Sequence, residues 1–156
     1  MGERIKVIMD CDPGIDDGIA LAYAAAHQDE LELLAVTTFA GNNTIDKVTK
    51  NALELVDFYG LNVPVARGQE RPLVKEVLHA EEFHGETGLG HCVLPEAKSE
   101  AVSDNAVLFI RELLNRLPEG EQVVMIETAP MTNLALLLKV FPEIKNKIGK
   151  IVFMGG

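Results

Sequence analysis

The sequence contains little cysteine, an excess of acidic over basic residues and no long hydrophobic run, and each shortage excludes a class of protein. The two cysteines, Cys11 and Cys92, are too few and too far apart to form a disulfide framework. Cys11 ends an apolar run, so we expect a small buried side chain there. A reducing, cytoplasmic location is the expectation that follows.

Basic residues are outnumbered, with 14 Lys and Arg against 24 Asp and Glu, giving a net charge of −10. Nucleic acids and anionic membrane surfaces require basic patches, so we expect neither as a main partner. No apolar run approaches the ~20 residues of a membrane span, and no basic-then-apolar leader is visible. A neutral small molecule or a cation is compatible with this composition.

Short β-branched runs alternate with helical patterns along the chain, without an internal repeat. Its 156 residues predict a single domain over residues 1–156. Strands are predicted over residues 5–9, 33–38, 62–66, 123–127 and 150–154. Helices are predicted over residues 18–27, 44–59, 104–117 and 132–141. The alternation predicts an α/β, Rossmann-like fold, a mostly parallel sheet with helices on both faces.

Polar, small or acidic residues follow every predicted strand. In parallel sheets ligands bind outside the carboxyl ends of the strands, so these residues are expected to form one site. The set comprises Asp10 and Asp12 after the first strand, Asn42 after the second, residues 67–68 after the third, Thr128 after the fourth and residues 155–156 after the fifth. Residues 67–103 are too long for an ordinary connection and are expected to be a functional loop with a little local helix.

Residues 10–17 crowd four carboxylates into one short segment. Asp10 and Asp12 are two residues apart at a strand end, so both can face the same way. Asp16 and Asp17 follow a Pro-Gly turn at the start of a helix, where the helix dipole stabilises negative charge. Either could be an N-cap, but capping requires one carboxylate. The crowding therefore favours a catalytic role or a hard cation such as Ca²⁺ or Mg²⁺.

Three other positions have both a structural and a functional interpretation. Asn42 is a turn residue or an amide that binds sugar hydroxyls. His84 begins a glycine-rich segment, residues 84–90, that suits a solvated loop, a close approach to ligand or a mobile lid. Thr128 has a carbonyl at a strand end, and such carbonyls are ordinary calcium ligands, whereas Thr132 is expected to be a helix N-cap.

Residues 10–17 closely resemble the Asp-x-Asp-Pro-Gly-x-Asp-Asp signature of the inosine–uridine-preferring nucleoside hydrolases. Four further segments are similar to the family in the same order: residues 37–42, 84–90, 128–133 and 152–156. The resemblance implies calcium-dependent hydrolysis of the N-glycosidic bond of ribonucleosides, giving ribose and free base, by a dimer or tetramer. It covers the N-terminal half of the family's length, so the chain looks truncated.

The resemblance also implies roles for the matching residues. Asp12 and Asp17 would bind Ca²⁺ through their carboxylates, and Thr128 would bind it through its backbone carbonyl. Asp12 would also be the general base that deprotonates a calcium-bound water. Breaking the bond creates an oxocarbenium-like sugar, whose positive charge a carboxylate-rich pocket stabilises.

The remaining matches concern the sugar. Asp16 and Asn42 would bind the ribose hydroxyls, His84 would lie in a loop that closes over the site, and Asp10 would support the site from behind. Two alternatives stay open. One is a scaffold without catalysis that retains weak cation binding. The other is a magnesium-dependent Asp-x-Asp phosphatase with Asp10 as nucleophile and Asp12 as acid/base.

Overall fold

The computed structural model describes residues 4–155, which contain a five-stranded parallel sheet flanked by helices. The strands are β1 (Ile5–Cys11), β2 (Leu31–Thr38), β3 (Val65–Ala66), β4 (Val123–Glu127) and β5 (Ile148–Phe153). The α-helices are α1 (Ile15–Ala26), α2 (Ile45–Phe58), α3 (Glu81–His84), α4 (Ala106–Asn115) and α5 (Thr132–Val140). A 3-10 helix, Pro142–Lys147, precedes β5. The predicted α/β class is confirmed.

The strand order is β3-β2-β1-β4-β5, and every neighbouring pair is parallel. The chain builds outward from β1 through β2 to β3, and then crosses to the other side of β1 for β4 and β5. Such a reversal leaves a crevice at the carboxyl ends of the two central strands, β1 and β4. Asp10 lies at this point, in register with Thr37 of β2 and Glu127 of β4.

The sheet separates two hydrophobic clusters because successive strand residues face opposite sides. One cluster joins Ile8 of β1 to α4, α5 and the 3-10 helix. The other joins Met9 and Cys11 of β1 to α1 and α2. Helices therefore cover both faces, as predicted. Cys11 is fully buried, which confirms its expected role as a small core residue.

Several element boundaries differ from the sequence prediction. The strand predicted over residues 62–66 shortens to β3, since Pro64 has no N–H to donate to a sheet ladder. Helix α1 begins at Ile15 rather than at residue 18, and the Gly18 N–H bonds the Gly14 carbonyl at 3.1 Å. The 3-10 helix was not predicted.

The expectation that Thr132 caps α5 is wrong. Met131 occupies the N-cap position, and Thr132 is the first residue of the helix. The Thr132 N–H donates to the Pro130 carbonyl at 2.6 Å, and this tight turn leads the chain into the helix at Thr132. The expected local helix in the long loop is present as α3.

Two sequence expectations concern the end of the last strand and membrane spans. Gly156, part of the motif at the end of the last strand, lies outside the described residues. No helix within residues 4–155 is both long enough and apolar enough to cross a membrane.

Candidate functional site

A cleft of about 610 Å³ opens at the carboxyl ends of the strands. It brings together five of the residues that the sequence singled out: Asp12, Asp16, Asn42, His84 and Thr128. Its other walls include Met131 at the start of α5 and residues 153–155 at the end of β5. Asp10 and Asp17 do not line the cleft and are both buried.

Asp12 is held in place by the loop that follows β2. The Asn42 N–H donates to Asp12 Oδ2 at 2.7 Å, and Asn42 Nδ2 donates to the Asp12 carbonyl oxygen at 3.0 Å. Gly41 makes this approach possible, because a Cβ atom there would overlap Asp12 Oδ2. Burial, followed by the charge of Asp17, raises the pKa of Asp12 to about 8.

Asp17 lies beside Asp12, in the first turn of α1. Its Oδ2 accepts the Asp12 N–H at 3.3 Å, and its carboxylate also bonds the Thr128 side chain. Burial raises the pKa of Asp17 above its ordinary value, although the hydrogen bond from Thr128 opposes that rise. The structure therefore brings Asp12, Asp17 and Thr128 together.

Asp10 supports the site from inside the sheet. Its Oδ1 accepts hydrogen bonds from the Thr37 hydroxyl and, at 2.8 Å, from Asn133 Nδ2. Its carbonyl oxygen accepts the Thr128 N–H at 2.9 Å, which fixes the chain just after β4. Burial raises the pKa of Asp10, and the Thr37 and Asn133 hydrogen bonds oppose that rise. Asp10 is 0% exposed and so cannot meet a substrate, which contradicts the phosphatase alternative.

Glu127 is a buried acid beside Asp10 that sequence reasoning passed over as the last residue of a strand. Among the described residues no donor reaches either of its carboxyl oxygens or Asp10 Oδ2. Burial, followed by the charge of Asp10, raises the pKa of Glu127 to about 9. Because Glu127 lies in register with Asp10, a protonated Glu127 can donate to Asp10, and we expect the pair to retain a proton. Its only sequence signal is an acid ending an apolar strand.

The glycine-rich segment brings His84 to the start of α1. The Ile15 N–H donates to His84 Nδ1 at 3.3 Å, so this ring nitrogen is the acceptor. The same nitrogen lies 3.9 Å from Asp16 Oδ1, whose side chain is 55% exposed. A Cβ atom on Gly14 would lie 2.6 Å from His84 Nδ1, so glycine leaves the space that this approach requires.

The chain is similar in sequence to known nucleoside hydrolases. A family model described as inosine-uridine preferring nucleoside hydrolase matches residues 7–156. The non-specific ribonucleoside hydrolase RihC of Escherichia fergusonii is 41% identical over 153 residues, which cover 98% of this chain and 49% of that protein. The pyrimidine-specific ribonucleoside hydrolase RihA of Shewanella sp. (strain MR-7) is 45% identical over 151 residues, covering 96% and 46%.

The fold is similar as well. The purine-preferring ribonucleoside hydrolase from Gardnerella vaginalis superposes with a TM-score of 0.87 at 36% identity, covering 97% of this chain and 48% of that one. The chain spans about half the length of the curated relatives it matches. The resemblance carried by the sequence motifs is thereby confirmed. The chain belongs to the inosine–uridine-preferring nucleoside hydrolase family.

Proposed function

We propose that this chain supplies part of the active site of a hydrolase that cleaves the N-glycosidic bond of ribonucleosides into ribose and free base. The observation that carries the proposal is the buried Asp12 carboxylate at the cleft, held by the Asn42 N–H beside Asp17. The similar proteins are named as non-specific, pyrimidine-specific and purine-preferring. The proposal therefore concerns the ribose and the bond, not the base.

Calcium is the cofactor that we propose for this site. Asp12 and Asp17 provide two adjacent buried carboxylates, and Thr128 lies beside Asp17, so we assign its backbone carbonyl as a third ligand. Burial raises both carboxyl pKa values, and the charge of Asp17 adds to the rise at Asp12 while the charge of Asp16 adds to the rise at Asp17. A bound divalent cation would favour the ionised carboxylates and so offset this cost. A set made of oxygen donors alone fits Ca²⁺ rather than a softer metal. When bound, calcium would hold the ribose diol and the attacking water together and lower the pKa of that water.

The protein ligands at this site form a partial set. Within residues 4–155, no group of three or more His, Cys, Asp and Glu side chains is arranged to hold a metal ion. Calcium takes about six to eight oxygen ligands, so substrate hydroxyls, water or further protein groups would complete the set. The chain therefore contributes the carboxylate side of a shared site in this proposal.

Asp12 is the proposed general base. Asn42 holds its Oδ2 through a backbone hydrogen bond, which leaves Oδ1 to take the proton from the attacking water. Asp16 lines the cleft with an exposed carboxylate that can accept hydrogen bonds from ribose hydroxyls. Asn42 already donates its amide N–H to Asp12, so its side-chain oxygen is the atom that we assign to a hydroxyl. His84 lines the same cleft and is proposed to contact the substrate.

The charge of the site suits the reaction. The sugar becomes positively charged as the base departs, and carboxylates fixed around it stabilise that charge without rearranging. Asp12 and Asp17 are fixed by hydrogen bonds to the backbone and to Thr128, so their positions are set before substrate arrives. This preorganisation supports hydrolysis over simple sugar binding.

A second candidate is a cation-binding chain without turnover. It is favoured by one observation, since Asp12 and Asp17 already adjoin each other in the buried arrangement that a bound cation requires. Free base and ribose should be measured together after incubation with inosine and with uridine, on this chain and on a chain extended to the length of its relatives. Equal release of both products supports hydrolysis, whereas calcium binding without release by either chain supports the second candidate.

A further inference from the structure

The glycine-rich segment, residues 84–90, is fastened to α2 by a row of polar side chains. Lys47 and Asn51 are four residues apart on α2 and so share a face, and Asn43 lies just before the helix begins. Asn43 Nδ2 donates to the Glu86 carbonyl at 3.0 Å, and Lys47 Nζ donates to the same oxygen at 2.7 Å. The backbone of this segment therefore rests on α2 through its carbonyl oxygens.

Asn51 differs from the other two because it contacts two separate loops. Its Nδ2 donates to the Thr87 carbonyl at 2.8 Å and to the Pro13 carbonyl at 3.1 Å. Pro13 belongs to the acidic turn, residues 12–17, which carries Asp16 and Asp17. Asn51 is 4% exposed, so each of these bonds is shielded from water. One buried amide thus joins the glycine-rich segment to the acidic turn.

Gly88 and Leu89 hold the glycine-rich segment close to Asn51. A Cβ atom on Gly88 would lie 2.8 Å from Asn51 Nδ2 and 3.3 Å from the Pro13 carbonyl oxygen, and Gly88 has a φ of +90°. Glycine is therefore required there by both space and conformation. Leu89 is buried among the side chains of α1 and α2, which anchors the next residue of the segment.

We propose that Asn51 is a positioning residue that ties the glycine-rich segment to the acidic turn and so fixes His84 against the start of α1. Asn51 acts through backbone carbonyls and lies outside the cleft lining. The tie does not depend on the proposed function, although its consequence for ribose binding does. If Asn51 were replaced, the bond between His84 and the Ile15 N–H would open more often.

The Ile15 amide is a direct reporter of this tie. It is the first N–H of α1 and has no acceptor within the helix, so His84 Nδ1 supplies its hydrogen bond. Amide hydrogen exchange of Ile15 should be followed by NMR in the metal-free, substrate-free chain. Asn51→Leu keeps a similar volume but removes both donors, and we expect Ile15 to exchange about tenfold faster or more.

Thr49→Val is the matched control. Thr49 is a buried polar residue of the same helix, but its hydroxyl bonds Thr38 at 2.9 Å and reaches neither loop. It should lower global stability without selectively exposing the Ile15 amide. Equal acceleration in both variants, or none in Asn51→Leu, would overturn the proposal.

If Asn51→Leu does not fold, two further measurements test whether Asn51 ties the glycine-rich segment to the acidic turn. In the unaltered chain, the amides of Ile15 and Gly90 should open with the same free energy, because the tie makes one unit of the two loops. A freely exchanging Ile15 amide would contradict the proposal. Lys47→Met removes the bond to the Glu86 carbonyl and the ion pair with Glu81, but neither bond of Asn51. It should leave Ile15 protected, whereas loss of Ile15 protection would show that Lys47, not Asn51, holds the segment.

In a chain that releases ribose, Asn51→Leu should raise KM more than it lowers kcat, because the bond-breaking carboxylates stay in place. This kinetic result tests the consequence for ribose binding. The exchange of the Ile15 amide tests the tie itself, so a failure of the proposed function and a failure of the tie are distinguishable.

Discussion

Calcium binding to this chain should be strongly linked to proton release. The pKa of Asp12 is raised to about 8, and that of Asp17 is raised as well, so at neutral pH the metal-free pair holds at least one proton. Calcium requires ionised ligands, and that proton must leave when the metal binds. Below pH 8, each proton released on binding raises the Kd for calcium about tenfold for every unit by which the pH is lowered.

Isothermal titration calorimetry can measure both the pH dependence of the calcium Kd and the number of protons released. Between pH 7 and pH 6, the Kd for calcium should rise about tenfold if one proton is released, and about a hundredfold if two are. Titrations in buffers with different ionisation enthalpies count the protons directly. Asp12→Asn should abolish most of the proton release along with tight binding. A Kd that stays constant from pH 6 to 8, with no proton released, would refute the reasoning.

Two further predictions concern the pH dependence of stability and the space that glycine leaves beside Asp12. Without metal, raised pKa values for Asp12 and Glu127 mean that the folded chain binds more protons, so its free energy of unfolding should fall as pH rises from 5 to 9. Glu127→Gln should flatten that fall in a thermal melt, and an unchanged slope would contradict the shared proton. Gly41→Ala should displace the Asp12 carboxylate, because the added Cβ would overlap it, and should raise the Kd for calcium about tenfold or more. Gly18→Ala, whose Cβ meets only ordinary contacts, is the control and should stabilise α1 by ~0.5–1 kcal/mol.

The acidic turn could be predicted from sequence because its signal is local. Four carboxylates around a Pro-Gly turn predict a cation or catalytic site, and strand–helix alternation places that turn at the carboxyl edge of a parallel sheet. Asn42 and Thr128 could be assigned to the same edge for the same reason. These predictions depend only on neighbours in the chain and on a general rule of α/β folds.

Glu127 and Asn51 could not be predicted, because their importance depends on partners far away in sequence. Glu127 ends an apolar strand and becomes significant only through register with Asp10. Asn51 fits an amphipathic helix, and nothing local shows that it meets two loop carbonyls from residues 13 and 87. The shortened β3 has a local cause in Pro64, which the apolar pattern around it obscured.

Ribose release that depends on both calcium and Asp12 is the most direct test of the proposed function. A chain extended to the length of its relatives should be assayed with inosine and uridine, with and without a chelator, beside Asp12→Asn. We expect the chelator to abolish ribose release and Asp12→Asn to lower kcat by several orders of magnitude, since that substitution removes the base and a calcium ligand together. Ribose release undiminished by either treatment would contradict the account.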